Sequence, residues 1–399
     1  MNPSASGWID KLNRFIEKED AFAGMSWEAF YVSLRASGFI YGANIATVIA
    51  IPTELKLSEA EITKVNLYLS LVFSYQQQHP TASTTKAVEE IANFYNELNV
   101  VKFSFLNKIL IGKDAALQLE KVIDSRIRIN SNLFKQNFSN IITNALLFSD
   151  VLGFIHFLEK KKDTEAYAVL LENHITEVVF QALNTKTEKS EYDELLIKLV
   201  ASSMRYDKQE DAATLLEGFG GLNSDLRTLR MQQYIVDLTC MAVWDDETLD
   251  KDEEHFLWSL SERLQLSNED VEASLQHIQD FIAAHRDKIA FFNAKNPVKA
   301  FYDQSSKAVS KLILRNKKRL TKELSESGEL MVLLTRSTVR DLTEEEKQKV
   351  KEQLLDICKS VPSLAIFALP GGAILLPLLV KFIPKLLPSA FNDNKIVDE

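Results

Sequence analysis

The chain has 399 residues, 46% hydrophobic and 26% charged, with a formal net charge of −10 and a pI near 5.3. So acidic a balance excludes a chain that as a whole binds DNA through its phosphates. Two widely separated cysteines, Cys240 and Cys358, exclude a disulfide framework or a cysteine-built metal site and point to a reducing compartment.

Glycine numbers only twelve, and apolar residues recur every three or four positions, so an all-α fold is expected. The opening MNPSASGWIDKLNRF has no basic stretch leading into an apolar one, so no cleaved signal is read there. Residues 1–221 form a first domain of seven or eight helices, with polar joints at His79-Pro80-Thr81 and Asn184 to Ser190. The uncharged run from Ser37 to Thr53 is seventeen residues long and holds Asn44. It is short for a bilayer and reads as a buried helix. The block from Gln136 to Ser149 reads as core.

Gly218-Phe219-Gly220-Gly221 lacks the lysine and hydroxyl residue of a phosphate loop and follows no strand, so it is a linker. Residues 222–295 form a second helical unit with three apolar stripes. Tyr234, Ile235, Leu238, Met241 and Ala242 make the first, Phe256, Leu257, Leu260 and Leu264 the second, and Val271, Leu275, Ile278 and Ile282 the third.

The acidic turn between the first two stripes holds Asp246, Leu249, Asp250 and Glu253. This turn resembles the D-G-x-hydrophobic-D/S-x-x-E turn of TerB-type helical domains known from tellurite-resistance proteins, with Glu247 in the glycine's place. The resemblance covers Leu229 to Ile289 and implies a candidate divalent-cation site at Asp246, Asp250 and Glu253, carboxylates suiting a hard cation such as Ca²⁺. The other reading is a helix N-cap, with acids at the positive end of the next helix's dipole. The turn lacks the glycine and carboxylate spacing of an EF-hand.

Residues 296–399 make the third region. Lys307, Lys311, Arg315, Lys318, Arg319 and Lys322 fall on one side of a helical wheel, and Val309, Leu312, Ile313, Leu320 and Leu324 on the other. Lys311, Arg315, Lys318, Arg319 and Lys322 are the candidates for binding anionic lipid or an acidic partner. The plain alternative is a solvated helix face. Thr343 to Glu346 reads as a capping box opening a helix with Val350, Leu354, Ile357 and Cys358 inside.

Then comes Val361 to Val380, VPSLAIFALPGGAILLPLLV, without a charge. Twenty helical residues span about 30 Å, the thickness of a bilayer's hydrocarbon core. Pro362, Pro370, Pro377, Pro384 and Pro388 crowd this end of the chain, the first four at intervals of eight, seven and seven. Such spacing sets them near one helix face, where membrane helices accommodate the freed carbonyls.

Val361-Pro362, Pro370, Leu375-Leu376-Pro377, Lys381-Phe382-Ile383-Pro384 and Leu387-Pro388-Ser389-Ala390-Phe391 resemble the membrane segment of the leucine-zipper and EF-hand transmembrane (LETM) family. The approach also matches in register at Leu342-Thr343, Glu346 and Asp356. The resemblance covers Leu333 to Phe391. It implies a membrane protein whose partners include membrane lipids and, in the family, the ribosome. The family's soluble ribosome-binding part lies beyond the residues that carry the likeness. Ala373 stands where the family places the intramembrane glutamate linked to its cation transport. An intramembrane carboxylate is the expected handle for an ion, so its loss weakens a transporter reading.

Arg340, Lys347, Lys349, Lys351 and Lys359 precede the run, against Lys381, Lys385 and Lys395 after it. Positive-inside counting keeps the large N-terminal part in the cytoplasm. The six histidines show no metal-ligand spacing, and no nucleophile elbow, P-loop or dinucleotide fingerprint occurs. The expected function is non-enzymatic and cofactor-free, a membrane-anchored protein acting through cytoplasmic helical domains. The resemblance, in its truncated bacterial form, implies a role in cell-envelope or biofilm physiology. Two alternatives stand beside it. One is an ion-homeostasis component built by homo-oligomerisation of the proline-rich segment, the other a ribosome-linked factor in membrane-protein biogenesis.

Overall fold

The computed structural model describes residues 1–98, 113–131, 144–160, 163–185, 228–243, 249–286, 316–360 and 376–387, with isolated positions 189, 194, 197, 306, 309, 310, 313, 314 and 364. Among the described residues the fold is all-α, with fourteen helices and no strand. Seven precede residue 186: α1 (Trp8–Glu19), α2 (Trp27–Ser37), α3 (Glu59–Gln78), α4 (Thr84–Glu97), α5 (Lys113–Ser131), α6 (Phe148–Lys160) and α7 (Thr164–Thr185).

The helix α3 is the axis of this part, buried at every position from Ile62 to Tyr75 and packed on α4, α5 and α6. A helix buried all round must satisfy its own polar side chains. Ser70 and Ser74 do so by donating to the carbonyls of Asn66 and Ser70, both at 2.7 Å. Ser58 and Glu61 open α3 with a capping box. Gly7, at the start of α1, offers no capping side chain. Glu120 of α5 substitutes, accepting from the amides of Gly7 and Ile9 at 3.0 Å each. Glu17 of α1 in turn accepts from the amide of Thr84, at 2.9 Å, at the start of α4.

The segment from Ser37 to Thr53 is buried in part but is not a helix. Helix α2 ends at Ser37, and Phe39, Ile40, Tyr41 and Ala43 enter the core from irregular backbone. Gly38 and Gly42 both take left-handed φ, 79° and 73°, a conformation other residues resist. A Cβ on Gly38 would also stand 2.0 Å from the carbonyl oxygen of Ala43. Asn66 then replaces a helix's own ladder, accepting from the amide of Val48 and donating to Asn44 and the carbonyl of Ala46, all at 2.9 Å.

Next come α8 (Leu229–Val243), α9 (Lys251–Leu264) and α10 (Asn268–His285). Their three stripes face inward, with Tyr234, Ile235, Leu238, Leu257, Leu260, Leu264, Val271, Ile278 and Ile282 all buried. The trio packs on the first seven helices, α8 and α9 against α7 and α10 against α2. The core is therefore continuous across the joint at residue 221, which itself lies outside the described residues.

The C-terminal part holds α11 (Lys317–Glu326), α12 (Gly328–Arg336), α13 (Glu344–Ser360) and α14 (Leu376–Leu386), with α12 packing on each of the other three. The basic helix expected from Lys307 to Leu324 is not one helix, because Asn316 sits outside the helical region at ψ 13° with no side-chain cap and α11 starts at Lys317. Its apolar side holds nonetheless: Val309, Ile313, Leu320 and Leu324 are fully buried.

Among the described residues no helix is long and apolar enough to cross a membrane. Of Val361 to Val380, the described residues are Leu364 and those from Leu376 onward; Val361, Pro362, Pro370 and also Pro388 lie outside them. The helix α14 is described from Leu376 to Leu386. It runs on through Pro384, whose missing N–H leaves the carbonyl of Val380 without its usual partner.

Candidate functional site

Of the positions in the family resemblance, Leu342, Thr343 and Glu346, on the approach to the proline-rich segment, have structural roles in the α12–α13 hairpin. Leu342 is buried, and Thr343 caps α13 by accepting from the amide of Glu346 at 3.3 Å. Glu346 answers by accepting from the amide of Thr343 at 2.9 Å. Its two carboxylate oxygens also take a fork from Arg340, at 2.6 and 2.8 Å, and Arg336 adds a bond at 3.3 Å. Arg340, then the Thr343 amide, then Arg336 hold the Glu346 carboxyl down to about 2. Along the hairpin Glu329 accepts from Lys349 at 2.9 Å and Gln353 at 3.0 Å, which lowers its carboxyl too. The turn between the helices carries Val339, 86% exposed.

Lys318, Arg319 and Lys322, candidates for lipid or partner binding, are exposed on α11, while Lys311 and Arg315 lie outside the described residues. The exposed face is not purely basic. Glu323 stands 4.0 Å from Arg319 and Glu326 3.9 Å from Lys322, one turn on in each case. Across α12, α14 buries Leu376, Leu378, Leu379, Val380, Ile383 and Leu387 and exposes Lys381 and Lys385, Leu378 lying on the same side as the lysines. Pro377 and Pro384 belong to this helix.

At the acidic turn Asp246 lies outside the described residues. Asp250 is the N-cap of α9, its Oδ1 accepting from the amides of Asp252 and Glu253 at 2.8 Å each. Glu253, buried, closes the box by accepting from the amide of Asp250 at 2.9 Å. Each carboxylate thus has an oxygen engaged by backbone, the arrangement of the capping reading. Among the described residues no group of three metal-ligating side chains comes together.

Sequence reasoning missed two buried tyrosine–aspartate–arginine clusters. Arg35 of α2 donates from Nε to both oxygens of Asp237 on α8, at 3.1 and 2.9 Å, and from Nη2 to Ser274 of α10 at 2.9 Å. The Tyr31 hydroxyl donates to the same Asp237 at 2.6 Å. In the second cluster Arg126 of α5 forks onto Asp150 of α6, and Tyr95 of α4 donates to Asp150 at 3.0 Å. Burial first, and the neighbouring aspartate second, push both phenols well above their ordinary range, so both stay protonated donors. Buried and bonded to one another across three helices in each case, these groups are ties within the bundle. The arginine and aspartate partners lie 202 and 24 positions apart, and no local spacing announces the first.

Residues 342–399 match the family model described as LETM1-like, RBD. No curated protein and no solved structure matches the chain. The C-terminal part is therefore related to the LETM family. The match takes in α13, the proline-rich end and α14 and carries the RBD designation.

Proposed function

We propose that the chain is a non-enzymatic, LETM-related membrane protein whose C-terminal apolar segment fixes it to the bilayer while its helical body works in the cytoplasm, in cell-envelope or biofilm physiology. One observation carries the reading. The LETM1-like match starts at the capped hairpin and runs through the charge-free stretch from Val361 to Val380, the one part of the sequence with the length to cross hydrocarbon. The TerB-like reading of the middle region belongs to this proposal. Protease treatment of membrane vesicles from cells producing the chain tests the arrangement. Inverted vesicles should lose the N-terminal body to protease and right-side-out vesicles should keep it. The reverse pattern, or a chain missing from both preparations, contradicts it.

A second reading, a ribosome-linked factor in membrane-protein biogenesis, is favoured by the RBD designation of the matched model. Co-sedimentation with ribosomes decides it. Binding that survives in the full chain and is lost when residues 342–399 are removed supports it, and absence of the chain from the ribosomal pellet removes it.

A further inference from the structure

Two helix faces of the chain match in the order of their charges. On α9, Lys251, Glu254 and Trp258 stand on successive turns, clear of the buried Leu257, Leu260 and Leu264; the two charged side chains are exposed and the indole is half-buried. Trp258 Nε1 donates to Glu254 Oε1 at 3.4 Å, which sets ring and carboxylate side by side at the surface. On α11, Lys318, Lys322 and Glu326 stand on successive turns, all exposed. Laid antiparallel, the two rows are complementary at every turn: Lys251 meets Glu326, Glu254 meets Lys322, and the indole meets Lys318 in a cation–π contact. Laid parallel, they set Lys251 against Lys318. The wider charge agrees, since α9 and α10 hold eight acidic and two basic side chains and α11 four basic and two acidic, so the surfaces attract while the rows set direction and register. Within one chain α9 packs on α7, α8 and α10, and α11 on α12. Among the described residues no ion pair joins α9 to α11.

We propose that α11 of one copy docks antiparallel on α9 of a second copy, and reciprocally, giving a two-fold pair held by Lys251 with Glu326, Glu254 with Lys322, and Trp258 with Lys318. The basic helix face thus takes the acidic surface of another copy of this chain rather than lipid headgroups. Glu326 decides between the two, because an anionic bilayer repels it and Lys251 accepts it. Exposed ion pairs contribute little singly, and Lys322 already stands 3.9 Å from Glu326 of its own helix. The association is therefore reversible and weakened by salt.

Two differently tagged preparations of the full chain, mixed in a neutral detergent at low salt, test the pairing by co-capture on one tag. Unsubstituted chains should capture each other, and raised salt should release them. Glu254→Lys sets like charge against Lys322, and Lys322→Glu sets like charge against Glu254, so neither variant should capture itself. Mixing the two variants should restore capture, because each copy then offers the other an opposite charge at both contacts. A contact inside one chain has no such rescue. Trp258→Ala should weaken capture about twofold to fivefold. Unsubstituted chains that do not capture each other overturn the proposal, as do single variants that capture themselves as well as the parent does. Failure of the mixed variants to restore capture overturns it too. Binding to phosphatidylglycerol vesicles that Lys322→Glu abolishes, with self-capture untouched by Glu254→Lys, assigns α11 to lipid instead.

Discussion

Arg35 and Asp237, 202 positions apart, meet through two hydrogen bonds from one guanidinium nitrogen, at 3.1 and 2.9 Å, with side chains 8% and 0% exposed. The pair ties α2 to α8 and joins the first and second regions of the chain. A buried pair adds little net stability over well-packed apolar residues, but breaking it strands a charge.

Asp237→Ala should therefore destabilise the protein by about 3–5 kcal/mol in chemical denaturation, since it leaves Arg35 charged and buried. Arg35→Met with Asp237→Leu should recover much of that loss. Single and double variants equal in stability would contradict the account.

The Glu346 carboxyl is held down to about 2 in the folded hairpin, below its ordinary value in the unfolded chain. A group with a depressed folded value contributes stability that is complete above the unfolded value and is lost as pH falls toward the folded one. The α12–α13 hairpin should thus weaken between about pH 4.5 and 2, and Glu346→Gln should flatten that dependence. Amide exchange in α13 followed over the acid range measures it. A hairpin of Glu346→Gln protein with the same acid dependence as the parent would exclude Glu346 as its source.

Asp250→Ala removes the N-cap of α9 and should cost about 1 kcal/mol. With a carboxylate oxygen of both Asp250 and Glu253 engaged by backbone amides, millimolar calcium should leave the denaturation midpoint unchanged. A midpoint raised by calcium and not by magnesium would favour the cation reading of the turn.

How far the sequence could be read depended on whether the deciding interaction was local. Apolar periodicity announced α8, α9 and α10 and their buried stripes, and the Thr343–Glu346 spacing announced its cap, because both rules operate within a turn or two of helix. Ser37 to Thr53 read as a helix because its composition is apolar. Gly38 and Gly42, four apart in left-handed backbone, turned it into a packed loop, and Asn66 of α3 bonded the Val48 amide and the Ala46 carbonyl within it. Asn316 similarly ended a helix that the amphipathic pattern carried straight through. Asp150 directly follows the apolar block from Gln136 to Ser149. It is buried, because Arg126 and Tyr95 reach it from two other helices.

Reconstituted protein should not exchange divalent cations for protons. On the LETM resemblance Ala373 stands at the intramembrane glutamate's place, and Val361 to Val380 holds no ionisable side chain, so a divalent ion entering hydrocarbon along this segment would find no carboxylate partner. Proteoliposomes carrying calcium- and pH-sensitive dyes give the measurement. Proton-coupled flux above that of empty vesicles would favour the ion-homeostasis alternative and an assembly of several copies.

Carbonate extraction of membranes tests the central claim, that residues beyond α13 fix this helical protein in the bilayer, most directly. The full chain should stay in the membrane pellet, and a chain ending at Asp356 should appear in the supernatant. Release of the full chain by carbonate would contradict the account.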